Sequence, residues 1–189
     1  IDHTDVNPMG VNTLLHEEVE PGKVARTLDM IADAGFTYVR QIFVWSEIEP
    51  APDTYRNEQH DISTWEKYDR IVEMASERGL EIIARLDKPP RWSREGQPGL
   101  DQFPDGPPND YGDYADFVAE VVNRYEGRVN YVQIWNEPNL GIEWGGQPID
   151  PAEFTELLAV GYEAAKEANP DVTVLMPGLA PTEQRGPNN

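Results

Sequence analysis

The residues most suited to chemistry in this sequence are Asn136, Glu137 and Pro138, directly after the β-rich run Val129–Trp135. A Glu leaving a buried strand is poorly solvated, which disfavours its charged form and suits a general acid. The neighbouring Asn can hold a hydroxyl without adding charge, and Pro stops the strand and fixes its exit. With period-two alternation, Val132 and Ile134 share a helix-packed face, while Gln133, Trp135 and Glu137 share the other. Two further β-rich runs end similarly. One leads through Arg40 to Trp45, Glu47 and Glu49; the other leads into Asp87, then Pro90, Arg91 and Trp92, and Trp144 follows soon after the Asn-Glu pair. Carboxylates and tryptophans gathered on one rim suit sugars. Indole faces stack on the C–H faces of pyranose rings, and carboxylates handle hydroxyls and glycosidic oxygens. The competing reading makes Glu137 a loop carboxylate paired with an Arg, the tryptophans core packing, and Arg40 a partner of a carboxylate such as Asp87.

Such residues need a scaffold that aligns strand ends. Pro21 opens a helix with Val24, Leu28 and Ile31 at helical spacing, closed by Gly35. Ser63-Thr64-Trp65-Glu66 has the pattern of a capping box before the stripe Tyr68, Ile71, Val72 and Ala75. A third helix opens near Asp110 and carries Tyr114, Phe117, Val118, Val121, Val122 and Tyr125. The fourth begins Asp150-Pro151 and buries Phe154, Leu157, Leu158 and Tyr162. Between them lie strands Met9–Thr13, Thr37–Val44, Leu80–Leu86, Val129–Trp135 and Thr173–Met176. The stretch Gly96–Asn109 reads as a long loop, and the tail Gly178–Asn189 has turn residues without periodicity. This β-α alternation predicts an α/β fold with a parallel sheet, in a single domain over residues 1–189. An open dinucleotide-binding sheet expects a glycine-rich turn after its first strand; here Leu14-Leu15-His16-Glu17-Glu18 follows, without glycine. A (β/α)8 barrel of the TIM type expects its chemistry at the C-terminal strand ends, where the unusual residues lie.

Composition narrows the partners. The chain of 189 residues has 35 acidic and 15 basic side chains, a formal net charge of −20, which argues against nucleic acid and anionic membrane surfaces. With 39% hydrophobic and 10% aromatic residues, it can build a core. No cysteine is present, so disulfides, thiolate metal sites and a Cys nucleophile are excluded. No cluster has metal-ligand spacing, His16 and His60 read as loop surface, and no cofactor is expected. No apolar run approaches the roughly 20 residues of a spanning helix.

The segment Trp135-Asn136-Glu137-Pro138-Asn139 resembles the acid/base motif of the clan of (β/α)8 retaining glycoside hydrolases. Trp45 through Pro50 and Asp87 through Trp92 resemble the same clan, closest to its family thirty-nine and family five members, over about residues 8 to 180. The resemblance implies hydrolysis of O-glycosyl bonds in poly- or oligosaccharides, with Glu137 as general acid/base. Asn136 matches the residue that contacts the 2-hydroxyl and the nucleophile, and Arg40 the arginine that hydrogen-bonds the nucleophile. Trp45, Asp87, Trp92 and Trp144 fall at substrate-contacting positions.

One departure stands out. In that clan the nucleophile follows the seventh strand, and retaining hydrolysis needs two carboxyl groups about 5 Å apart. Five strands and four helices make only the N-terminal part of a barrel; completing it needs roughly another 100 residues. Open edges invite association, so the sequence predicts a chain that is completed by a C-terminal half or by another chain. The first residue, Ile1, favours a parent that was trimmed or excised. A non-catalytic glycan-binding or structural protein on a partial barrel is the alternative. The polysaccharide substrate predicts an extracellular or cell-surface location.

Overall fold

A computed structural model describes residues 7–182; of the tail Gly178–Asn189, residues 183–189 lie outside that range. Five parallel strands form one sheet in the order β1 (Gly10–Thr13), β2 (Tyr38–Val44), β5 (Glu81–Asp87), β6 (Tyr131–Ile134) and β7 (Thr173–Leu175). A short antiparallel ribbon, β3 (Arg56–Asn57) with β4 (Ile62–Ser63), lies after β2. The expected strands are all present, four of them trimmed by one or two residues at one or both ends and the third shifted by one, from Leu80–Leu86 to Glu81–Asp87. Sheet order follows chain order, the arrangement of successive right-handed crossovers in a barrel wall. Among the described residues, β1 and β7 each pair along one side only.

Helices α1 (Pro21–Asp33), α3 (Glu66–Ser76), α4 (Tyr111–Arg124) and α5 (Pro151–Ala168) cover one face of the sheet. Their predicted stripes are buried in α1, α3 and α4. They meet Val39, Phe43, Ile82, Ala84, Leu86, Val132 and Ile134 in a continuous core. Asp110 and Asp150 cap α4 and α5 as their sequences predict, accepting from Gly112 and from Ala152 and Glu153. Helix α5 differs from expectation. It buries Leu157, Gly161 and Ala165, while Tyr162 is 49% exposed. The reason is a close approach: a Cβ on Gly161 would stand 3.0 Å from the Ile134 side chain and 3.3 Å from the Tyr114 ring. The helix thus turns its smallest residue, not its tyrosine, to the sheet.

The capping box also fails to form. Ser63 is drawn into the ribbon strand β4, Trp65 becomes the residue before α3, and no side chain caps that end. Tertiary pairing of Ser63 with Arg56 overrides the local helix signal. Three short helical turns were not anticipated: a 3-10 turn over Leu15–Glu17 after β1, α2 (Trp45–Ile48) after β2 and a 3-10 turn over Arg91–Arg94 after β5. No helix among the described residues is long and apolar enough to cross a membrane.

Candidate active site

Alternate residues of the sheet point away from the helices. In parallel register, Asn12 stands beside Arg40, Arg40 beside Ile83, Ile42 beside Arg85, and Arg85 beside Gln133. This second face is therefore unusually polar for a sheet interior. Arg40 is its hub. Nε donates to Gln133 Oε1 at 2.8 Å, one terminal nitrogen to Asn12 Oδ1 at 2.8 Å and the other to Asn136 Oδ1 at 2.9 Å. All three partners are neutral amides. Asp87 is claimed instead by Arg85, whose Nε donates to it at 2.8 Å. The ion pair between Arg40 and Asp87, considered from sequence, is thus absent.

Asn136 is buried and Glu137 half-buried, both past the end of β6 on the C-terminal rim. The pleat does not carry through to them. Trp135 has φ of 66° and Glu137 φ of 36°, both left-handed. Each such residue costs about 1 kcal/mol or more. The turn at Trp135 swings its indole to the helical layer, edge-on to Tyr114 at 5.7 Å and to Trp144 at 6.3 Å. Trp135 therefore does not share the face of Gln133, and the alternation stops at Ile134. Local bonds hold the turn. Trp135 N–H donates to the Leu86 carbonyl, Gln133 Nε2 to the Trp135 carbonyl, and Leu140 N–H to the Glu137 carbonyl. Asn139 makes a two-way clamp with the backbone of Ala180, both bonds 2.9 Å, which ties the loop after β6 to the loop after β7.

Two further acids close to Arg85 and Lys88 are Asp87 and Glu143. Asp87 is 1% exposed, and its Oδ1 has no hydrogen-bond partner among the described residues. Burial pushes its carboxyl above the ordinary range, against the pull of Arg85. Glu143 is raised by burial as well, with Lys88 pulling it down and Asp87 adding repulsion. Lys88, left-handed at φ of 62°, loses solvation but is held above its ordinary value by Asp105 at 2.7 Å and Glu143 at 3.3 Å. Burial, then Arg85, works against the charge of Arg40; Asp87, Glu137 and Glu143 favour it. Glu137 is therefore within electrostatic reach of the arginine.

The tryptophans divide. Trp45 is fully buried, stacked on Phe117 at 5.3 Å, with its indole N–H donating to Glu49 at 2.7 Å. Trp144 is 1% exposed, packed against Trp135 and Phe154. Both lie in the core and offer no face to a sugar: the short helix α2 folds Trp45 inward, and the turn at Trp135 encloses Trp144. Trp92 alone of the three is partly exposed, with its N–H on the Glu49 carbonyl at 3.1 Å.

The profile of the cellulase family, glycosyl hydrolase family 5, matches residues 1–186. The chain belongs to that family. No curated protein matches this family 5 chain. Solved structures do. One is a family 39 glycoside hydrolase from the gut symbiont Bacteroides cellulosilyticus WH2, at 24% identity and a TM-score of 0.62 over 89% of this chain and 31% of that one. Another is the exo-beta-1,4-mannosidase Op5Man5 from Opitutaceae bacterium strain TAV5, at 21% identity and 0.71 over 90% and 32%. A third is GH5_18-E153A from Streptomyces cattleya in complex with Manb1-4GlcNAc, at 18% identity and 0.69 over 90% and 44%. At these identities the likeness shows the fold: the five strands are part of a (β/α)8 barrel. The family 5 chain spans about a third of the length of the first two.

Sequence reasoning missed Glu143, Lys88 and Arg85 around Asn136 and Asp87, and also Arg94. Arg94 is fully buried, and its guanidinium organises the loop after β5 through Gln97 and the carbonyls of Phe103 and Pro104. Arg85 carried a readable signal, a charge within the apolar run Ile82–Leu86 of its strand. Glu143 carried none.

Proposed function

We propose that this chain supplies the acid/base side of a retaining glycosidase acting on poly- or oligosaccharides. The observation that carries the reading is the Arg40–Asn136 bond at the C-terminal rim, with Glu137 as the next residue. Glu137 would donate its proton to the glycosidic oxygen as the sugar–oxygen bond breaks. A second carboxylate, outside the described residues, would form the glycosyl-enzyme intermediate. Glu137 would then take a proton from the water that releases the sugar. Asn136, held by Arg40, would meet a hydroxyl of the sugar beside the broken bond, and the partly exposed Trp92 would offer its ring for stacking. The sheet edges at β1 and β7 would be covered by further polypeptide, in the same chain or a partner. Action outside the cell, where polysaccharides lie, fits this role. The solved neighbours named for β-mannoside chemistry support a β-linked substrate.

Glu137→Gln in the natural full-length protein tests the assignment. Turnover of glycosides with poor leaving groups should fall about 100-fold or more, and glycosylation by good leaving groups, which need little acid help, should fall far less. Undiminished turnover of a poor-leaving-group substrate refutes the role of Glu137. A protein that binds oligosaccharides and turns none over favours the glycan-binding alternative.

A further inference from the structure

Asn136 is held from two sides. Its Oδ1 accepts from the cationic Arg40 at 2.9 Å, and its Nδ2 donates to the carboxylate of Glu143 at 3.2 Å. The amide's two ends are thus read by opposite charges. Turning it over would set N–H against guanidinium and oxygen against carboxylate, and both contacts would become repulsive. Glu143 also holds the preceding residue, because its backbone carbonyl accepts the indole N–H of Trp135 at 3.0 Å. The two residues before Glu137 are therefore both tethered, by their side chains, to one residue further along the same loop. The far oxygen of Glu143 is braced by Lys88, which Asp105 holds in turn. The Glu143 side chain is 14% exposed, so water competes weakly for these bonds.

We propose that Glu143 is a positioning residue that fixes the Asn136 amide with its oxygen on Arg40 and its remaining Nδ2 hydrogen free for a substrate hydroxyl. Asn136 then acts toward the sugar as a donor, and the hydroxyl it meets must accept. The purpose assigned to this device rests on the glycosidase reading; the amide geometry does not. Loss of the Glu143 side chain frees the Nδ2 end of the amide, while the Trp135 indole keeps its bond to the backbone carbonyl of residue 143 and the strand itself stays paired with β5 and β7.

Exchange of the Asn136 side-chain amide protons with water tests this without any substrate, so failure of the glycosidase reading leaves the readout intact. The resonances are identified by their loss in Asn136→Asp. In Glu143→Ala the Nδ2 protons should exchange at least tenfold faster than in wild type, while the backbone amides of Tyr131–Ile134 keep their protection. An unchanged side-chain rate overturns the proposal. So does an equal loss of protection along β6, which would mean that Glu143 merely supports the fold. If Glu143→Ala does not fold, Glu143→Gln decides, since it keeps an acceptor and loses the charge: acceleration of threefold or more supports the proposal, and an unchanged rate overturns it.

Discussion

Replacing Arg40 by Lys keeps the positive charge and discards the fork. Three acceptors depend on that fork, and their surroundings differ. Gln133 and Asn136 are buried at 6% and 8% exposure, whereas Asn12 is open to water. A buried acceptor left unpaired costs about 1–3 kcal/mol; an exposed one costs little, because water replaces the lost donor. A lysine ammonium can reach one of the two buried oxygens, or share poorly between them. The expected loss is therefore about 1–3 kcal/mol, equivalent to roughly 2–12 °C in Tm for a chain of this size. Urea denaturation followed by tryptophan fluorescence reads it as a lower midpoint at unchanged slope. Asn12→Ala is the internal control and should cost under about 0.5 kcal/mol, on the same solvation argument. A loss below about 0.5 kcal/mol for Arg40→Lys would refute the reasoning, since it would mean that water already serves both buried amides.

Two other outcomes follow from the packing and the charges. Trp45→Phe should cost about 2–4 kcal/mol in stability, from the lost ring volume and the orphaned Glu49 oxygen, and should leave KM for oligosaccharides unchanged; a raised KM at unchanged stability would place the indole in the cleft after all. Acid stability should be limited by Asp69, whose burial raises its carboxyl but whose bonds from Arg124 and Tyr125 carry it below the ordinary 3.8. A depressed carboxylate stabilises the fold above its unfolded value and loses that contribution as pH falls through the folded value, so Asp69→Asn should flatten the decline below about pH 4 in urea midpoints. An acid limb identical to wild type would contradict that assignment.

The architecture was largely legible because the helices announce themselves by period. Val24, Leu28 and Ile31, or Tyr114, Phe117 and Val121, can be buried together only on one side of a helix, and the β-rich runs between them leave few alternatives to a parallel sheet. The motif around Glu137 was legible as a strand exit. What stayed hidden depends on contacts across the chain. Ser63 looked like a helix cap because its pairing with Arg56 has no local signature. Trp45 and Trp144 looked like rim aromatics because sequence cannot tell an inward turn from an outward one. The left-handed backbone at Trp135, Glu137 and Lys88 falls on residue types that seldom adopt it, so alternation was extended past Ile134 to Glu137. Glu143 gains its meaning only from the fold that brings it to Asn136.

The three amides around Arg40 are arranged like spokes, each with its oxygen toward the hub. Two of them send hydrogens outward, from Asn136 to Glu143 and from Gln133 to the Trp135 carbonyl. The guanidinium's hydrogen bonds are in this way relayed through aligned amide dipoles, one of which ends on the Glu143 carboxylate, instead of being spent on a direct ion pair. In a molecule of net charge −20, Arg40 thus keeps a charge with no ion pair of its own among the described residues, and an anionic side chain arriving beside it would be favoured in its ionised form.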